Sequence, residues 1–433
     1  MSKSPIDRLL KPVHRFIQQE FTGGIVLFVS VIAALVWVNS PFAQSYHHLW
    51  ETELSIGLGG GAFKHPLHVW INDGLMALFF FVIGLELKRE FMAGELSTFK
   101  KASLPMGAAL GGMLVPALIY SIININQPSI TGWGIPMATD IAFALGLLSL
   151  AGKHIPASVK VFLSALAVAD DLGAVLVIAF FYTAHISFTY LILAAIFLTA
   201  SVVANYLGVR STLIYLILGI IVWACFLFSG VHATIAGVLV AFTIPARTKI
   251  MESEYIEQVK DYTNQFERAI PLHGPLMTAQ QHHIIDQIKQ LSQDAETPLQ
   301  KIEHSLHPWV AFLIMPVFAL ANSGMHIGSD FFASLANPVS LGVIIGLVAG
   351  KLVGVFSFTW LMVKLKISRL PAKTTWKHIF GVALLAGVGF TMSLFITGLA
   401  FTDPTHIDNA RYGILLASVI SGCAGITYLR SLK

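Results

Sequence analysis

The chain has 433 residues, of which 55% are hydrophobic and 12% charged, and its mean hydropathy is +0.74. Because soluble domains average about 25% charged residues, this composition excludes a mainly soluble protein and predicts a multi-pass membrane protein surrounded by lipid. The formal net charge of +4 is small and gives no indication of a nucleic-acid partner. Cys225 and Cys423 lie in different apolar segments and indicate neither a disulfide framework nor a metal motif.

The apolar stretches and their Gly, Pro and charged punctuation predict an all-α fold with about twelve membrane-spanning helices. The first stretch follows Arg8, Lys11 and Arg15, and its length favours a retained span over a cleaved signal peptide. The two short stretches at 212–227 and 230–244 could instead form one kinked helix. The predicted spans are roughly 19–38, 67–88, 103–124, 131–151, 157–183, 189–208, 212–227, 230–244, 306–324, 339–363, 378–401 and 410–429.

The positive charges are distributed unevenly between alternate loops. Lys and Arg accumulate on the cytoplasmic side of bacterial membrane proteins. If the N-terminus is inside, Lys64 is the one basic residue in the first five predicted outer loops, and the loop at 402–409 has none. We therefore predict a protein of the inner membrane with both termini in the cytoplasm. The predicted inner segments carry Lys3, Arg8, Lys11, Arg15, Lys88, Arg89, Lys100, Lys101, Lys153, Lys160, Arg210, Arg247, Lys249, Lys364, Lys366, Arg369, Lys373, Lys377, Arg430 and Lys433.

Two segments between the predicted spans have structure of their own. Residues 52–65 contain a glycine turn and predict a small periplasmic β-hairpin, which would gain stability by pairing with a second copy. Residues 247–302 form an extended cytoplasmic loop with predicted surface helices at Glu252–Arg268 and Thr278–Gln293, the second opened by a capping box. His273, His282 and His283 in this loop are better explained as solvated helix residues than as metal ligands.

Asp170 and Asp171 are adjacent in the middle of the apolar run from Val159 to Tyr182. A single Asp at the centre of a membrane helix costs about 2.5–3.5 kcal/mol, so the pair predicts an ion or proton site rather than a mere tie between helices. Neighbouring helix residues point about 100° apart, so the two carboxylates must face different partners. In a low dielectric the two are not expected to be ionised together, and H⁺ and Na⁺ would compete for the same oxygens.

Three other predicted spans contain groups that packing alone does not explain. Thr139 and Asp140 follow a Gly- and Pro-rich stretch, which predicts either a helix broken in mid-membrane or an N-cap near the membrane surface. Lys351 lies too deep to reach the surface easily, and its partner could be Asp140, Asp170 or Asp171. The span 378–401 is interrupted by glycines and hydroxyls.

The interrupted segments lie in spans four and eleven. Gly-interrupted spans in matching positions are typical of inverted-repeat transporters. The placement therefore predicts two inverted repeats, formed by spans 3–5 and 10–12.

At these motifs the sequence resembles the NhaA family of bacterial Na⁺/H⁺ antiporters. The similarity implies twelve helices, two broken crossing helices, and electrogenic exchange of one Na⁺ or Li⁺ for more than one H⁺, with no cofactor beyond the transported ions. The hairpin resembles the one through which family members dimerise. The matching runs are Trp70–Asp73, Gly84–Glu90, Ala138–Phe143, Asp170–Ala174, Ser229–Thr234, Glu303–Trp309 and Gly389–Ser393.

The resemblance also implies a role for individual residues. Asp171 is the expected principal cation ligand, and Lys351 is expected to pair with Asp170. Asp140 and Lys351 would balance the helix ends at the crossing, supported by Thr139 and Gly389. Regulation by pH is implied for a cytoplasmic cluster and for one further histidine, namely Glu86, Arg89, Glu90, Glu303, His304, His307 and His232.

Together with the residues of the site, the resemblance implies an electrogenic, pH-regulated Na⁺(Li⁺)/H⁺ antiporter of the bacterial inner membrane that expels cytoplasmic sodium by alternating access, and not an enzyme. An intramembrane aspartyl protease is disfavoured because its aspartates come from separate helices. A Na⁺-coupled symporter of an organic solute is the alternative. The long 247–302 insert departs from the shortest family members and leaves the pH set-point open.

Overall fold

The computed structural model describes residues 22–58, 61–152, 154–183, 186–269, 276–328 and 331–432. The predicted basic residues of the N-terminus, the start of the first span, the glycine turn at 59–60, Lys153, His273 and Lys433 lie outside these ranges. The described helices are α1 (Thr22–Val38), α2 (Ala43–Glu51), α3 (Leu67–Ala93), α4 (Phe99–Ile123), α5 (Ile141–Ala151), α6 (Ala157–Phe181), α7 (Phe188–Tyr206), α8 (Thr212–Ser229), α9 (Ala233–Thr243), α10 (Glu252–Arg268), α11 (Ala279–Ala295), α12 (Pro298–Asn322), α13 (Phe331–Leu335), α14 (Pro338–Lys364), α15 (Trp376–Leu385), α16 (Phe390–Ala400) and α17 (Pro404–Ser431), with a 3₁₀ segment at Pro128–Met137 before α5.

The described helices are those of a multi-pass, all-helical membrane protein. By length and composition, eight of them could cross a membrane, or eleven spans result if each of three bent helix pairs counts as one. Helix α9 is apolar but shorter than this criterion requires. The count of twelve spans stays a prediction. Residues 212–227 and 230–244 are not one kinked helix, because α8 ends at Ser229 and Gly230 turns the chain with φ 81° before α9 begins.

A two-stranded antiparallel sheet precedes α3. Strand β1 (Glu53–Leu58) pairs with β2 (Gly61–Pro66) in a register that runs from Glu53 opposite Pro66 to Leu58 opposite Gly61. Lys64 forms an ion pair with Glu53, and both side chains are exposed. These strands cover the predicted hairpin segment, whose side of the membrane and role in dimer formation stay predictions.

The polar insert folds into the two helices expected from its sequence. Helix α10 has the predicted bounds, and α11 begins after Thr278 and continues two residues beyond the predicted end. The predicted capping box is confirmed, since the Thr278 hydroxyl accepts from Gln281 N and the Gln281 side chain accepts from Thr278 N. An ion pair joins the two ends of the insert, with Lys249 Nζ 2.9 Å from Asp294 Oδ2.

Two bent spans determine the architecture of the interior. The 3₁₀ segment Pro128–Met137 meets α5 at a bend of 43°, and α15 meets α16 at a bend of 46°. Residues 138–140 are extended between the first two, because Pro136 and the flanking glycines do not favour a continuous α-helix. The chain therefore places two helix breaks inside the protein.

Helices α4 and α14 pack with their backbones in contact. A side chain on Gly354 would overlap Gly111 O, and a Cβ on Gly350 would lie 2.9 Å from Pro116 Cα. Helix α14 also contains a π-helical turn, Gly346–Gly350, immediately before Lys351. π-turns are frequent at functional sites.

Candidate ion-binding site

Asp170 and Lys351 form a fully buried ion pair. Lys351 Nζ lies 2.7 Å from Asp170 Oδ2, and neither side chain is exposed. The two residues are 181 positions apart and come from α6 and α14. Of the three carboxylates that the residues alone left open as partners of Lys351, the structure selects Asp170. A buried pair of this kind is costly to break, because the remaining charge would be left uncompensated.

Asp171 has a different environment from its neighbour. It is completely buried, and among the described residues neither of its carboxylate oxygens has a hydrogen-bond partner. The remaining oxygen of Asp170, Oδ1, is also buried without such a partner. Burial without a hydrogen-bond partner makes the ionised form of this carboxylate costly. The expectation that the adjacent carboxylates face different partners agrees with this geometry.

Asp140 joins the two helix breaks. It is 1% exposed, and its Oδ1 accepts from Phe143 N at 3.0 Å, in the first turn of α5. Its Oδ2 accepts from Thr391 N at 3.1 Å and from the Thr391 hydroxyl at 2.5 Å, in the first turn of α16. One carboxylate therefore caps two helix N-termini, where negative charge is favourable. The sequence left open whether Asp140 lies at a helix break in mid-span or at an N-cap near the membrane surface, and the structure shows the helix break.

Hydroxyl groups meet the carbonyl ends of the broken helices. The Thr139 hydroxyl donates to Ala386 O at 2.9 Å, and the Ser393 hydroxyl donates to Ile135 O at 2.8 Å. Gly389 is required at the crossing, because a Cβ there would lie 2.9 Å from Ala138 O and overlap the Ser393 hydroxyl. The hydrogen bond that the structure gives Lys351 goes to Asp170, so its role in balancing the carbonyl ends stays a prediction.

The sequence did not indicate a role for Thr391 or Ser393, although both lie in the motif Gly389–Ser393. A hydroxyl beside a glycine in a membrane helix is also common where helices merely pack closely. The signal that could have found them is the pair of hydroxyls two residues apart after Gly389, in a span already expected to be broken.

The cytoplasmic charge cluster is centred on Arg89. Its guanidinium lies 2.6 Å from Glu303, 3.3 Å from Glu90 and 3.7 Å from Glu86, and so connects α3 with α12. His304 and His307 follow Glu303 on α12 and are exposed. The structure thus brings together six of the seven residues expected to sense pH.

His232 does not belong to this cluster. It precedes the first residue of α9, whereas Lys88, beside Arg89, donates to Phe242 O and Ile244 O at the opposite end of α9. His232 instead lines a cavity of about 320 Å³. Neighbouring polar residues in the wall of this cavity are His68, Asn72, Asp73 and Asn322.

Within the described ranges, no group of three or more His, Cys, Asp or Glu side chains is arranged to hold a metal ion. His282 in the insert lies 3.6 Å from Asp286, one helical turn away, and both are more than half exposed.

Comparisons with known proteins cover almost the entire chain. Residues 14–429 match the family described as Na⁺/H⁺ antiporter 1. The Na⁺/H⁺ antiporter NhaA of Oleidesulfovibrio alaskensis is 49% identical over 429 residues, which are 99% of this chain and 95% of that protein. The Na⁺/H⁺ antiporter NhaA of Acidithiobacillus ferrooxidans is 48% identical, with 97% of each chain covered. NhaA 2 of Syntrophotalea carbinolica is 46% identical, with 97% of this chain and 96% of that protein covered.

Proposed function

Because the chain belongs to the Na⁺/H⁺ antiporter 1 family, we propose that it exchanges Na⁺ for H⁺ across a membrane as a secondary transporter rather than an enzyme. The direction of exchange that we propose is expulsion of Na⁺ or Li⁺ from the cytoplasm by alternating access. The observation that carries the proposal is Asp171, whose two buried oxygens have no hydrogen-bond partner among the described residues. A proton and a sodium ion are alternative ways to neutralise this carboxylate, and competition between them couples the two flows.

Charge counting in the site supports electrogenic exchange. With Asp171 protonated, the ion pair of Asp170 and Lys351 leaves the site neutral. If Na⁺ binds Asp171 and also Oδ1 of Asp170, it competes with the ammonium of Lys351 for the negative charge of Asp170, and Lys351 can then release its own proton. Two protons then leave for each Na⁺ that enters, so one net charge moves in each cycle. Moving that charge is worth about 2.3 kcal/mol per 100 mV of membrane potential.

The two breaks support the proposed inverted repeats and their joint movement. Each broken span contributes a hydroxyl to a carbonyl of the other, from Thr139 to Ala386 and from Ser393 to Ile135. Asp140 N also donates to Val388 O at 2.8 Å. This reciprocal bonding is what two repeats of opposite orientation would produce where their middle helices cross.

We assign pH regulation to the Arg89 cluster and to His232, and we place the protein in the bacterial inner membrane with both termini inside. The cluster is half-buried at the ends of α3 and α12, where a change of charge would alter the contact between them. The orientation rests on the distribution of Lys and Arg between alternate loops. In the described residues β1 and β2 form a sheet of two strands, so each strand has an edge that no further strand pairs, which favours pairing with a second copy and so a homodimer.

The proposal is tested by Asp171→Asn in everted membrane vesicles that hold an acid-inside pH gradient. Addition of Na⁺ or Li⁺ should collapse the gradient with the unmodified protein and leave it unchanged with the variant. Asp286→Asn is the matched control, because Asp286 is an exposed carboxylate in the insert and its loss should leave exchange intact. Normal exchange by Asp171→Asn would exclude the proposed site. Solute uptake driven by Na⁺ without proton movement would favour the symporter.

A further inference from the structure

Tyr182 lies between His232 and the first broken span. His232 Nε2 is 2.8 Å from Tyr182 O, and since a carbonyl oxygen can only accept, Nε2 carries the proton. The Tyr182 hydroxyl donates to Thr131 O at 2.8 Å and accepts from Gly134 N at 3.2 Å. One residue at the end of α6 is therefore bonded both to the start of α9 and to the 3₁₀ segment that leads to Asp140.

The aromatic ring of Tyr182 holds the same segment. The Trp133 ring stacks on it with a centroid distance of 6.4 Å and an interplanar angle of 24°. Trp133 also meets the Phe181 ring edge-on at 5.1 Å. A Cβ on Gly134 would lie 2.7 Å from the Tyr182 hydroxyl, so only glycine permits this approach. Because 3₁₀ segments have poor internal hydrogen bonds, such external contacts largely determine where this one lies.

His232 lies beside other titratable groups. It lines the cavity of about 320 Å³ together with His68 and Asp73 of α3, and His65 of β2 lines an adjoining cavity that Asp73 shares. Among the described residues that line these two cavities, these are the His and Asp side chains near His232. An imidazole ordinarily gains or loses its charge between pH 5 and 8. When charged, it donates a stronger hydrogen bond, here to a carbonyl at the C-terminal end of α6.

We propose that Tyr182 is a positioning residue that transmits the protonation state of His232 to the segment Pro128–Met137. The inference rests on the proposed pH regulation and names a route for it. Protonation of His232 strengthens its bond to Tyr182 O, and the Tyr182 hydroxyl and ring carry the resulting constraint to Thr131, Trp133 and Gly134. Met137 is three residues before Asp140, so a displacement of this segment reaches the helix crossing.

The test is a double-mutant cycle in everted vesicles with His232→Gln and Tyr182→Phe. Phe keeps the ring and the carbonyl of Tyr182 but removes the hydroxyl. We expect His232→Gln alone to move the pH of half-maximal exchange by about half a unit or more, as the gain from a charged donor implies. In the Tyr182→Phe background, His232→Gln should move the pH of half-maximal exchange by less than about a third of the shift that it causes alone.

Tyr120→Phe is the matched control. The Tyr120 hydroxyl donates to Ser129 O at 2.9 Å, in the same 3₁₀ segment, and Tyr120 lies on α4 rather than on the route from His232. The His232 effect should persist in this background. Its loss there, or its full persistence in Tyr182→Phe, would overturn the inference while leaving pH regulation by His232 in place. If His232→Gln alone changes nothing, the proposed regulatory role of His232 fails as well.

A measurement on the unmodified Tyr182 keeps the inference testable if Tyr182→Phe does not fold. Hydrogen exchange of residues 128–137, corrected for the intrinsic effect of pH, should differ between pH 6 and pH 8 in the parent protein. We expect this difference to fall at least twofold in His232→Gln. An equal difference in both proteins would contradict the proposed route.

Discussion

Replacement of Asp140 by Ala should destabilise the protein more than replacement of any single helix cap at its surface. The carboxylate accepts from two backbone N–H groups, those of Phe143 and Thr391, which begin different helices. Thr391 is buried and Phe143 is half-buried against the apolar core, so neither N–H has a ready replacement acceptor when the carboxylate is removed. An unsatisfied buried N–H costs about 1–3 kcal/mol. The two together predict a loss of about 2–6 kcal/mol in the free energy of unfolding.

Graded variants separate the two caps. Asp140→Asn keeps one acceptor for Phe143 N and places an amide N–H₂ towards Thr391 N, so about half of the loss should remain. Thr391→Val removes only the hydroxyl donor, which lies 2.5 Å from the carboxylate, and should cost about 1 kcal/mol.

The free energy of unfolding would be measured on purified protein by titration with SDS, with the loss of helix followed by circular dichroism. Asp403→Ala is the control, since the Asp403 carboxylate caps only α17, by accepting from Thr405 N at 2.9 Å in an exposed position. The backbone N–H of Thr405, followed by the His406 ring, lowers the pKa of Asp403, so this carboxylate is charged at neutral pH. If Asp140→Ala lowers the free energy of unfolding no more than Asp403→Ala does, Asp140 does not stabilise the two helix N-termini as described.

Two further outcomes follow from the ion pairs. Lys351→Gln should leave Na⁺/H⁺ exchange that no longer responds to an imposed potential of about 100 mV, whereas Lys364→Gln, at the far end of α14, should keep the response. An unchanged response in Lys351→Gln, recorded with a potential-sensitive dye, would exclude Lys351 as the second proton carrier. Arg89→Gln should shift the pH of half-maximal exchange by less than about one unit, because the pair with Glu303 is partly exposed and screened. Lys249→Gln is the control, because it breaks a comparable ion pair in the insert and should leave the pH of half-maximal exchange unchanged. Equal shifts of this pH in both variants would contradict a regulatory role that is particular to Arg89.

The sequence was sufficient for the features that depend on local chemistry. The multi-pass helical class follows from hydropathy, and Thr, Asp, Gly and Pro around Asp140 limited the explanations of this residue to a broken helix or a helix N-cap. That Asp170 and Asp171 differ follows from helix geometry alone. These features need no knowledge of which helices are neighbours.

Features that depend on tertiary neighbours could not be derived in this way. The residues alone left three carboxylates as partners of Lys351, and the tertiary structure, which brings α14 against α6 at this point, shows that the partner is Asp170. The residues alone gave His232 no contact partner, and the structure shows its Nε2 2.8 Å from Tyr182 O, at the end of α9 opposite to Lys88. Tyr182 follows two phenylalanines at the end of an apolar run, where an aromatic residue is typical of the membrane interface. Its contacts with Thr131 and Gly134 required the structure.

The pair between Asp170 and Lys351 also constrains how the protein is made. The two residues are 181 positions apart, so α6 is synthesised and inserted well before α14 exists. At a synthesis rate of about 5–20 residues per second, Lys351 is made roughly 10–35 s after Asp170 and Asp171. During that interval two acidic side chains in a new membrane helix have no cation beside them, and the nascent chain must shelter them by protonation or water. Assembly of the ion site is therefore a late event in biogenesis, and it depends on the second half of the chain reaching the membrane.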